Sequence, residues 1–435
     1  MSSLVSKWKA GIHVPIVEPQ QTALPGSNAL AHRGSLVMVA LAFLGWGILR
    51  ALNDIVVAAN QVQRPNHDAA AMSIHVSFFA AYLLAPIPVS AAMQRFGLRA
   101  GITASAAIMG LSALFCAVSL ASQLGFSYFA SLSALAAGIA ILQTAGNPAA
   151  TLLGPPATGA QRLLVVQSAM SLGAAIAPFL IGMGRSAATL DPAQMFSGVR
   201  VIYLAIGALL LALTIASRFT APIGEVAPHI VSPTLAPIRP ALRTSGRYAI
   251  AAVFLFVGTE ATVLTHVLQF RRLTSVAGAA FLWTVTLSGY WIFTTIGRLI
   301  CSSLLRRANL VRLLRLSALL GATLVALALL LHGGTATLIL LLTGLVNAAI
   351  FPFVFSLSTA ALTQQELTTA SGRLMTAISG GAVLPFLSGA IADRVGIRGA
   401  FILPILSYLF IAATASRCSS ANEARAGSGN SPVGV

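Results

Sequence analysis

The sequence predicts an all-α membrane protein with twelve transmembrane helices in two pseudo-symmetric halves of six. Three observations lead to this fold class. The 435 residues are 57% hydrophobic and only 8% charged, whereas a soluble globular protein carries about 25% charged residues. Twelve apolar stretches are each long enough to cross a bilayer, which takes roughly 20 residues. Landmark residues also repeat at a nearly constant offset between the two halves of the chain.

The positive charge is interpreted as a sign of membrane topology. The formal net charge is +17, from 26 Lys and Arg against 9 Asp and Glu. In a membrane protein such basic residues collect in cytoplasmic loops. With the N-terminus inside, seventeen of them fall on the cytoplasmic side and seven outside. The abundance of Arg and Ala over Lys is typical of a GC-rich bacterium. We therefore expect a multi-pass protein of the bacterial inner (plasma) membrane, surrounded by lipid bilayer, with both termini cytoplasmic and no nucleic-acid partner.

The spans and the polar gaps between them divide the chain into five parts. The longest polar gap holds five prolines and separates six spans from six. The predicted parts are an N-terminal tail (1–35), a first six-helix half (36–218), a cytoplasmic linker (219–247), a second six-helix half (248–416) and a C-terminal tail (417–435). The apolar stretches are 36–60, 70–93, 101–121, 126–150, 163–184, 198–218, 248–270, 279–303, 310–331, 336–362, 370–391 and 397–416.

The two halves look like copies of one another. The segment 171–182 lies 207 positions before 378–389, and six residues match in register, including Pro178 with Pro385. Asp54 precedes Glu260 by 206 positions, and Pro148 precedes Pro352 by 204. Parallel six-helix repeats around an axis along the membrane normal place a substrate site between the halves near mid-depth.

Two acidic residues lie clearly within predicted spans, Asp54 and Glu260. An ionised side chain at the bilayer centre costs roughly 2.5–3.5 kcal/mol, so such residues usually face the bundle interior or a water-filled path. Arg50 precedes Asp54 by four residues and shares its helix face. Asp54 is either a carboxylate that couples proton entry to solute entry or one member of a neutralised ion pair that lets the helix insert.

Amide side chains are the second polar feature of the spans. Gln143 and Asn147 are four residues apart in the fourth span, Gln167 begins a polar face of the fifth, and Asn347 lies in the tenth. Amides donate to and accept from sugar hydroxyls. They also form hydrogen bonds between helices without any solute, so both interpretations remain open. Pro148 is expected to end the fourth helix just after these amides.

Sequence motifs for catalysis are absent. No spacing of Cys, His, Asp and Glu indicates a metal site, and no Gly-rich loop ends in Lys-Ser/Thr. We expect no metal, no cofactor and no enzymatic activity. A monomer is expected.

Several motifs, in order, give the chain a family likeness. It resembles the fucose:proton symporter (sugar permease) family of the major facilitator superfamily. The motifs are Leu-Asn-Asp-Ile at 52–55, Gln-Thr-Ala-Gly-Asn-Pro at 143–148 with Leu-Gly-Pro at 153–155, Arg162 with the run 167–173, Phe-Val-Gly-Thr-Glu at 256–260, Ile-Gly-Arg at 296–298, and Asn347 to Pro352 followed by Ser379 to Pro385.

The resemblance implies a role for individual residues. It places the coupling proton on Asp54 and the solute against Asn53 and Gln167. The acid of that family's fourth helix is absent, and Gln143 stands in its place. Arg50 stands where a neutral or amide residue is expected.

The function predicted from the residues and the resemblance is secondary active import of a sugar or sugar-like solute by alternating access. Protons are the coupling partner, through Asp54 and Arg50. The predicted substrate-binding residues are Asn53, Gln143, Asn147, Gln167, Glu260 and Asn347. A uniporter or an exporter of the same fold, or a membrane solute sensor that does not transport, is the alternative.

Overall fold

The computed structural model describes residues 29–63, 78–121, 125–182, 192–219, 243–272, 279–305 and 308–421. All regular secondary structure in these ranges is helical, which confirms the predicted all-α class. Most of the predicted N-terminal tail, linker and C-terminal tail lies outside the described residues. The proposed boundaries of the five parts therefore stay a prediction.

The first half of the chain supplies the first six spans. A helical segment at 78–84 leads into Pro86–Ala121, which bends at Gly97 and so contains both the end of the second span and the whole third span. The other helices of this half are Ala29–Gln63, Gly125–Leu152, Gly159–Gly182 and Pro192–Ala216.

The second half supplies six more spans, of which the last three are broken. The tenth consists of Gly333–Asn347 and Ile350–Thr359, the eleventh of Gln364–Thr376 and Gly380–Val395, and the twelfth of Ile397–Ala400 and Ile402–Thr414. The seventh, eighth and ninth are the helices Arg243–Arg272, Ala279–Leu304 and Leu310–Leu330.

The described helices agree with twelve crossings. Ten segments are long and apolar enough to span a membrane, and one of them, Pro86–Leu120, joins the second and third spans across the bend. The eighth span, Ala279–Leu304, is not among the ten but has 26 residues, more than the roughly 20 that a crossing needs.

Glycines with positive φ turn the chain between helices in two similar segments. Arg-Phe-Gly-Leu-Arg at 95–99 and Arg-Val-Gly-Ile-Arg at 394–398 place Gly97 at φ +79° and Gly396 at φ +84°. Glycine adopts these angles without the steric penalty that a Cβ atom would bring. Each glycine therefore allows one span to end and the next to begin within a single residue.

Close helix packing repeats between the two halves, as the sequence repeat predicts. A Cβ atom on Gly173 in the fifth span would lie 2.3 Å from the Leu44 carbonyl oxygen of the first span. On Gly380, 207 positions later, it would lie 2.1 Å from the Phe254 carbonyl oxygen of the seventh span. The first and fifth spans of one half thus pack as the seventh and eleventh do in the other.

The fourth helix corrects one expectation, because Pro148 does not end it. The helix continues through Pro148 to Leu152. Proline lacks the N–H that would bond to the carbonyl four residues earlier, here that of Thr144. The Ser371 hydroxyl from the eleventh span donates to that carbonyl instead, at 2.9 Å. An outside donor replaces the missing helical bond, so the helix continues.

We expect Gly380→Ala to destabilise the protein by about 1–3 kcal/mol, the usual cost of forcing extra volume into a packed interior. The added methyl group would collide with the Phe254 backbone. Gly389→Ala is the matched control, because a Cβ atom there meets nothing within 4 Å. Thermal unfolding in detergent measures both variants; equal melting temperatures would contradict the packing described here.

Candidate functional site

A chain of hydrogen bonds joins four helices inside the C-terminal half. Tyr408 Oη donates to Asn347 Oδ1 at 2.6 Å, Asn347 Nδ2 donates to Tyr290 Oη at 3.0 Å, and Tyr290 Oη donates to Glu260 Oε1 at 3.0 Å. All four side chains are buried. Two predicted site residues, Glu260 and Asn347, are therefore joined through Tyr290, and Tyr408 extends the chain from Asn347.

The predicted amides of the N-terminal half form a second cluster. Gln167 Nε2 donates to Asn147 Oδ1 at 2.9 Å, and Gln143 Nε2 donates to Tyr82 Oη at 2.6 Å. Asn147 Nδ2 reaches the sulfur of Met375 in the other half at 3.5 Å. Gln143, Asn147 and Gln167 are thus buried, bonded to neighbours and placed at the seam between the halves.

Arg50 of the first span connects the two halves through an aromatic ring. Its guanidinium carbon lies 4.9 Å from the centroid of the Trp291 ring in the eighth span. Trp291 in turn packs edge-on against Tyr290, with ring centroids 5.2 Å apart. Arg50 therefore reaches the edge of the C-terminal cluster although it belongs to the N-terminal half.

The other two predicted residues of the first span have different surroundings. Asn53 is buried, and its Oδ1 has no hydrogen-bond partner in the described part of the chain. Asp54 is half-buried, and its charge is close enough to influence Tyr203 of the sixth span. Tyr203 Oη lies 3.5 Å from Tyr128 Oη of the fourth span. Asp54 thus interacts with the interior of its own half.

Arg298 is a central residue that sequence reasoning did not place at the site. It is 5% exposed; its Nε donates to the Ala348 carbonyl at 3.1 Å, and its Nη1 donates to the Gln167 carbonyl of the other half. Ala348 precedes Pro352 by four residues, so its carbonyl lacks the usual helical donor. A cation inside the eighth span was the signal that could have marked Arg298 as functional.

Glu260 lies near enough to Arg298 to stabilise its charge, whereas Arg50 opposes it. Glu260 also accepts the Tyr290 hydrogen bond, and Arg298 donates to two backbone carbonyls. Arg50 and Asp54 are further charged groups on the first span, and Glu366 is a buried acid in the eleventh span.

Within the described ranges, hydrogen bonds between the halves are found toward one end of the bundle. Besides the Arg298 and Ser371 contacts, Gln94 Nε2 donates to Thr369 Oγ1 at 2.7 Å, and Thr295 Oγ1 donates to Ser171 Oγ at 2.9 Å. Each of these residues lies in the later part of an even-numbered span or the early part of an odd-numbered one. Neighbouring spans run in opposite directions, so these positions share one side of the membrane.

No grouping of three or more His, Cys, Asp or Glu side chains within the described ranges could hold a metal ion. The three cysteines are free thiols.

A family model described as the Major Facilitator Superfamily matches residues 35–384. The chain belongs to this superfamily. The relatives that it matches are transporters and not enzymes, which confirms the expectation that the chain is not an enzyme. The glucose/galactose transporter of Brucella abortus is 30% identical over 410 residues, covering 90% of this chain and 97% of that protein. The putative glucose/galactose transporter of Helicobacter pylori is 30% identical over 408 residues, covering 88% and 96%.

The resemblance to the fucose:proton symporter family is also confirmed. The L-fucose-proton symporter of Escherichia coli is 27% identical over 397 residues, covering 85% of this chain and 89% of that protein. Among solved structures, the transporter FucP in its outward conformation matches with a TM-score of 0.74 and 22% identity, covering 89% of this chain and 99% of that chain. The proton:xylose symporter XylE matches with a TM-score of 0.68 and 13% identity, covering 89% and 96%. These structural matches confirm the fold.

We expect Ser371→Ala to destabilise the protein by about 1 kcal/mol, because the Thr144 carbonyl then loses its donor. In a Pro148→Ala background the new backbone N–H can bond to that carbonyl, so the same Ser371→Ala change should cost less. Thermal unfolding of the two single variants and the double variant gives the interaction energy. Strictly additive effects would show that Ser371 does not replace the bond that proline removes.

Proposed function

We propose that the chain is a secondary active transporter that imports a sugar or a sugar-like solute by alternating access. One observation supports this most directly. Buried amides and phenols cluster in each half, and Arg50, Arg298 and Asn147 make contacts between the halves beside these clusters. The chain is also 30% identical to a glucose/galactose transporter over 90% of its length. Amides and phenols both donate and accept hydrogen bonds, which suits the hydroxyl groups of a sugar.

The amide clusters can bind a sugar by exchanging partners. Gln143 bonds to Tyr82 and Gln167 bonds to Asn147, so each amide is held in place by a neighbour that a hydroxyl could replace. The family that the chain resembles has a glutamate at this position of the fourth helix. Gln143 stands there instead, and its amide cannot exchange a proton. We assign it to solute binding together with Asn53, Asn147, Gln167, Glu260 and Asn347.

The contacts between the halves indicate which state of the transport cycle the structure represents. On the predicted topology they lie where the even-numbered spans reach the cytoplasm. The protein is then closed toward the cytoplasm, which corresponds to the outward conformation in which FucP was solved. We propose this orientation, with both termini cytoplasmic, a bacterial inner-membrane location and a monomeric state, in a lipid bilayer.

Proton coupling is assigned to Asp54. It is half-buried in the first span, whereas Glu260 accepts a hydrogen bond from Tyr290 and stabilises Arg298. An uncoupled uniporter, an exporter and a sensor without transport are the alternatives, and transport measurements separate them.

We expect Asp54→Asn to lose accumulation of D-glucose or D-galactose against a gradient while it keeps counterflow exchange. The amide cannot release a proton, but the solute site and the inward–outward exchange remain. Uptake into proteoliposomes with an imposed pH gradient measures both activities. Asp393→Asn, an exposed acid far along the chain, is the control and should behave as wild type. Full pH-driven accumulation by Asp54→Asn would remove the coupling role, and wild-type uptake without pH dependence would favour a uniporter.

We expect cross-linking of the halves at the closed end to abolish exchange. A Gln94→Cys/Thr369→Cys pair, joined by a short bifunctional thiol reagent, would prevent the separation that alternating access requires. The control pair Thr103→Cys/Ser217→Cys joins two residues 3.0 Å apart within one half and should leave exchange intact. The three native cysteines are replaced by serine in both proteins. Exchange that survives the first cross-link would contradict the assignment of this seam as the gate.

A further inference from the structure

Arg50 is a half-buried cation whose guanidinium makes no hydrogen bond to the described part of the chain. Its guanidinium group is half-buried and lies over the Trp291 ring. The face of the Trp291 ring attracts the positive charge of Arg50. It does not accept hydrogen bonds from the N–H groups, which point outward in the plane of the guanidinium. Arginine carries five N–H donors in a planar fork that matches a carboxylate. The stacking on Trp291 therefore orients the guanidinium and leaves its edges for another acceptor.

The contrast with Arg298 shows what a structural arginine looks like in the same interior. Arg298 donates to the Ala348 and Gln167 carbonyls and has Glu260 nearby. Its hydrogen-bond donors therefore find acceptors within the protein. Arg50 shows no such carbonyl partner among the residues that the structure describes.

Two further side chains on the same face of the first span have unused polar atoms. Trp46, Arg50 and Asn53 follow one another at intervals of four and three residues, which places them on one side of a helix. Trp46 is 4% exposed and Asn53 is 3% exposed, yet Trp46 Nε1 and Asn53 Oδ1 have no partner in the described ranges. Leaving a buried polar atom unpaired costs about 1–3 kcal/mol. Unpaired atoms of this kind therefore point to a group that is bound during function.

We propose that Arg50 forms, with Trp46 and Asn53, a subsite for an acidic group, and that the transported solute is an anionic sugar such as a uronate or an aldonate. The carboxylate bonds to the Arg50 guanidinium, an adjoining hydroxyl donates to Asn53 Oδ1, and Trp46 Nε1 donates to a solute oxygen. This inference rests on the proposed sugar transport and names its substrate class.

The charges of the interior assign a consequence to this subsite. Arg50 and Asp54 carry opposite charges one turn apart on the first span. Their titratable or charged neighbours include Tyr82 and Arg298 beside Arg50 and Tyr203 beside Asp54, and the two phenols are neutral near pH 7. When Asp54 binds the coupling proton, the Arg50 charge is left unbalanced, and a solute carboxylate restores neutrality. One proton and one anion then cross together, and the transport cycle moves no net charge.

Binding to the purified, full-length carrier tests the subsite. Matched ligand pairs are D-galactose with D-galacturonate and D-glucose with D-glucuronate, which differ in the group at carbon 6. Isothermal titration should show that wild-type protein binds each uronate about tenfold tighter than the neutral sugar, the factor expected of one good charged hydrogen bond. Arg50→Gln should lose this preference, so that it binds the uronate and the neutral sugar of each pair with equal affinity, and Arg50→Lys should keep part of the preference. Arg312→Gln removes an exposed arginine elsewhere and should resemble wild type.

A second measurement uses the wild-type protein alone and so does not depend on the folding of a variant. Uptake of labelled D-galacturonate into proteoliposomes is measured at a fixed pH gradient, with and without a potassium diffusion potential set by valinomycin. Uptake of a monoanion with one proton should be unaffected by the potential, whereas uptake of D-galactose with one proton should respond to it.

The outcomes separate this inference from the proposed function. Preference for the uronate that disappears in Arg50→Gln, with uptake independent of the potential, supports the anionic subsite. Binding and proton-driven uptake of neutral sugars, with weaker binding of uronates, would overturn the inference and leave the proposed function standing. Failure of the folded wild-type protein to bind any of the four ligands would overturn both.

Discussion

Carbonyl groups that proline deprives of a helical donor determine where the two halves meet. At membrane depth no water can replace the missing N–H, so another helix must supply the donor. Because Pro148 has no N–H, the Thr144 carbonyl accepts a hydrogen bond from Ser371 instead. Likewise, Pro352 has no N–H, and the Ala348 carbonyl accepts from Arg298. The first bond crosses between the halves directly. The second bond positions the Arg298 guanidinium, and another N–H of this group donates to the Gln167 carbonyl of the other half. Two prolines 204 positions apart thus create polar contacts at the same end of both repeats.

These contacts are also weak enough for the seam to open, as the proposed alternating access requires. A hydrogen bond between helices in a membrane contributes only about 0.6 kcal/mol on average, since the separated groups find other partners. Gln94 with Thr369 and Thr295 with Ser171 add to this seam without closing it permanently. Water entering from the cytoplasmic side could satisfy each donor and acceptor in turn. The seam is therefore strong enough to define one state and weak enough to be exchanged for another.

The sequence predicted the helical class, the repeats and the polar residues of the site, because hydropathy and spacing depend on local order. It did not predict the contacts that position them. Helix periodicity placed Arg50 beside Asp54, but the long Arg50 side chain reaches Trp291, which is distant in sequence. Arg298 was visible as an intramembrane cation, but its acceptors are backbone carbonyls, and any residue carries one. Pro148 was expected to end its helix because proline removes a helical hydrogen bond. The donor that replaces this bond, Ser371, belongs to another span and could not be identified from local sequence.

The repeat also shows how two copies of one helix bundle come to differ in function. Asp54 and Glu260 occupy corresponding positions of the first and seventh spans, 206 residues apart. Glu260 accepts the Tyr290 hydroxyl and stabilises Arg298, so its charge helps to hold the C-terminal half and the seam together. Asp54 has instead Arg50 one turn away and Tyr203 near it. Relative to the resembled family pattern, Gln143 removes one negative charge and Arg50 adds one positive charge. Both changes make the interior more favourable for an anion, in agreement with the proposed subsite. They also agree with the proposed assignment of the coupling proton to Asp54, since a proton there leaves the bond between Tyr290 and Glu260 in place.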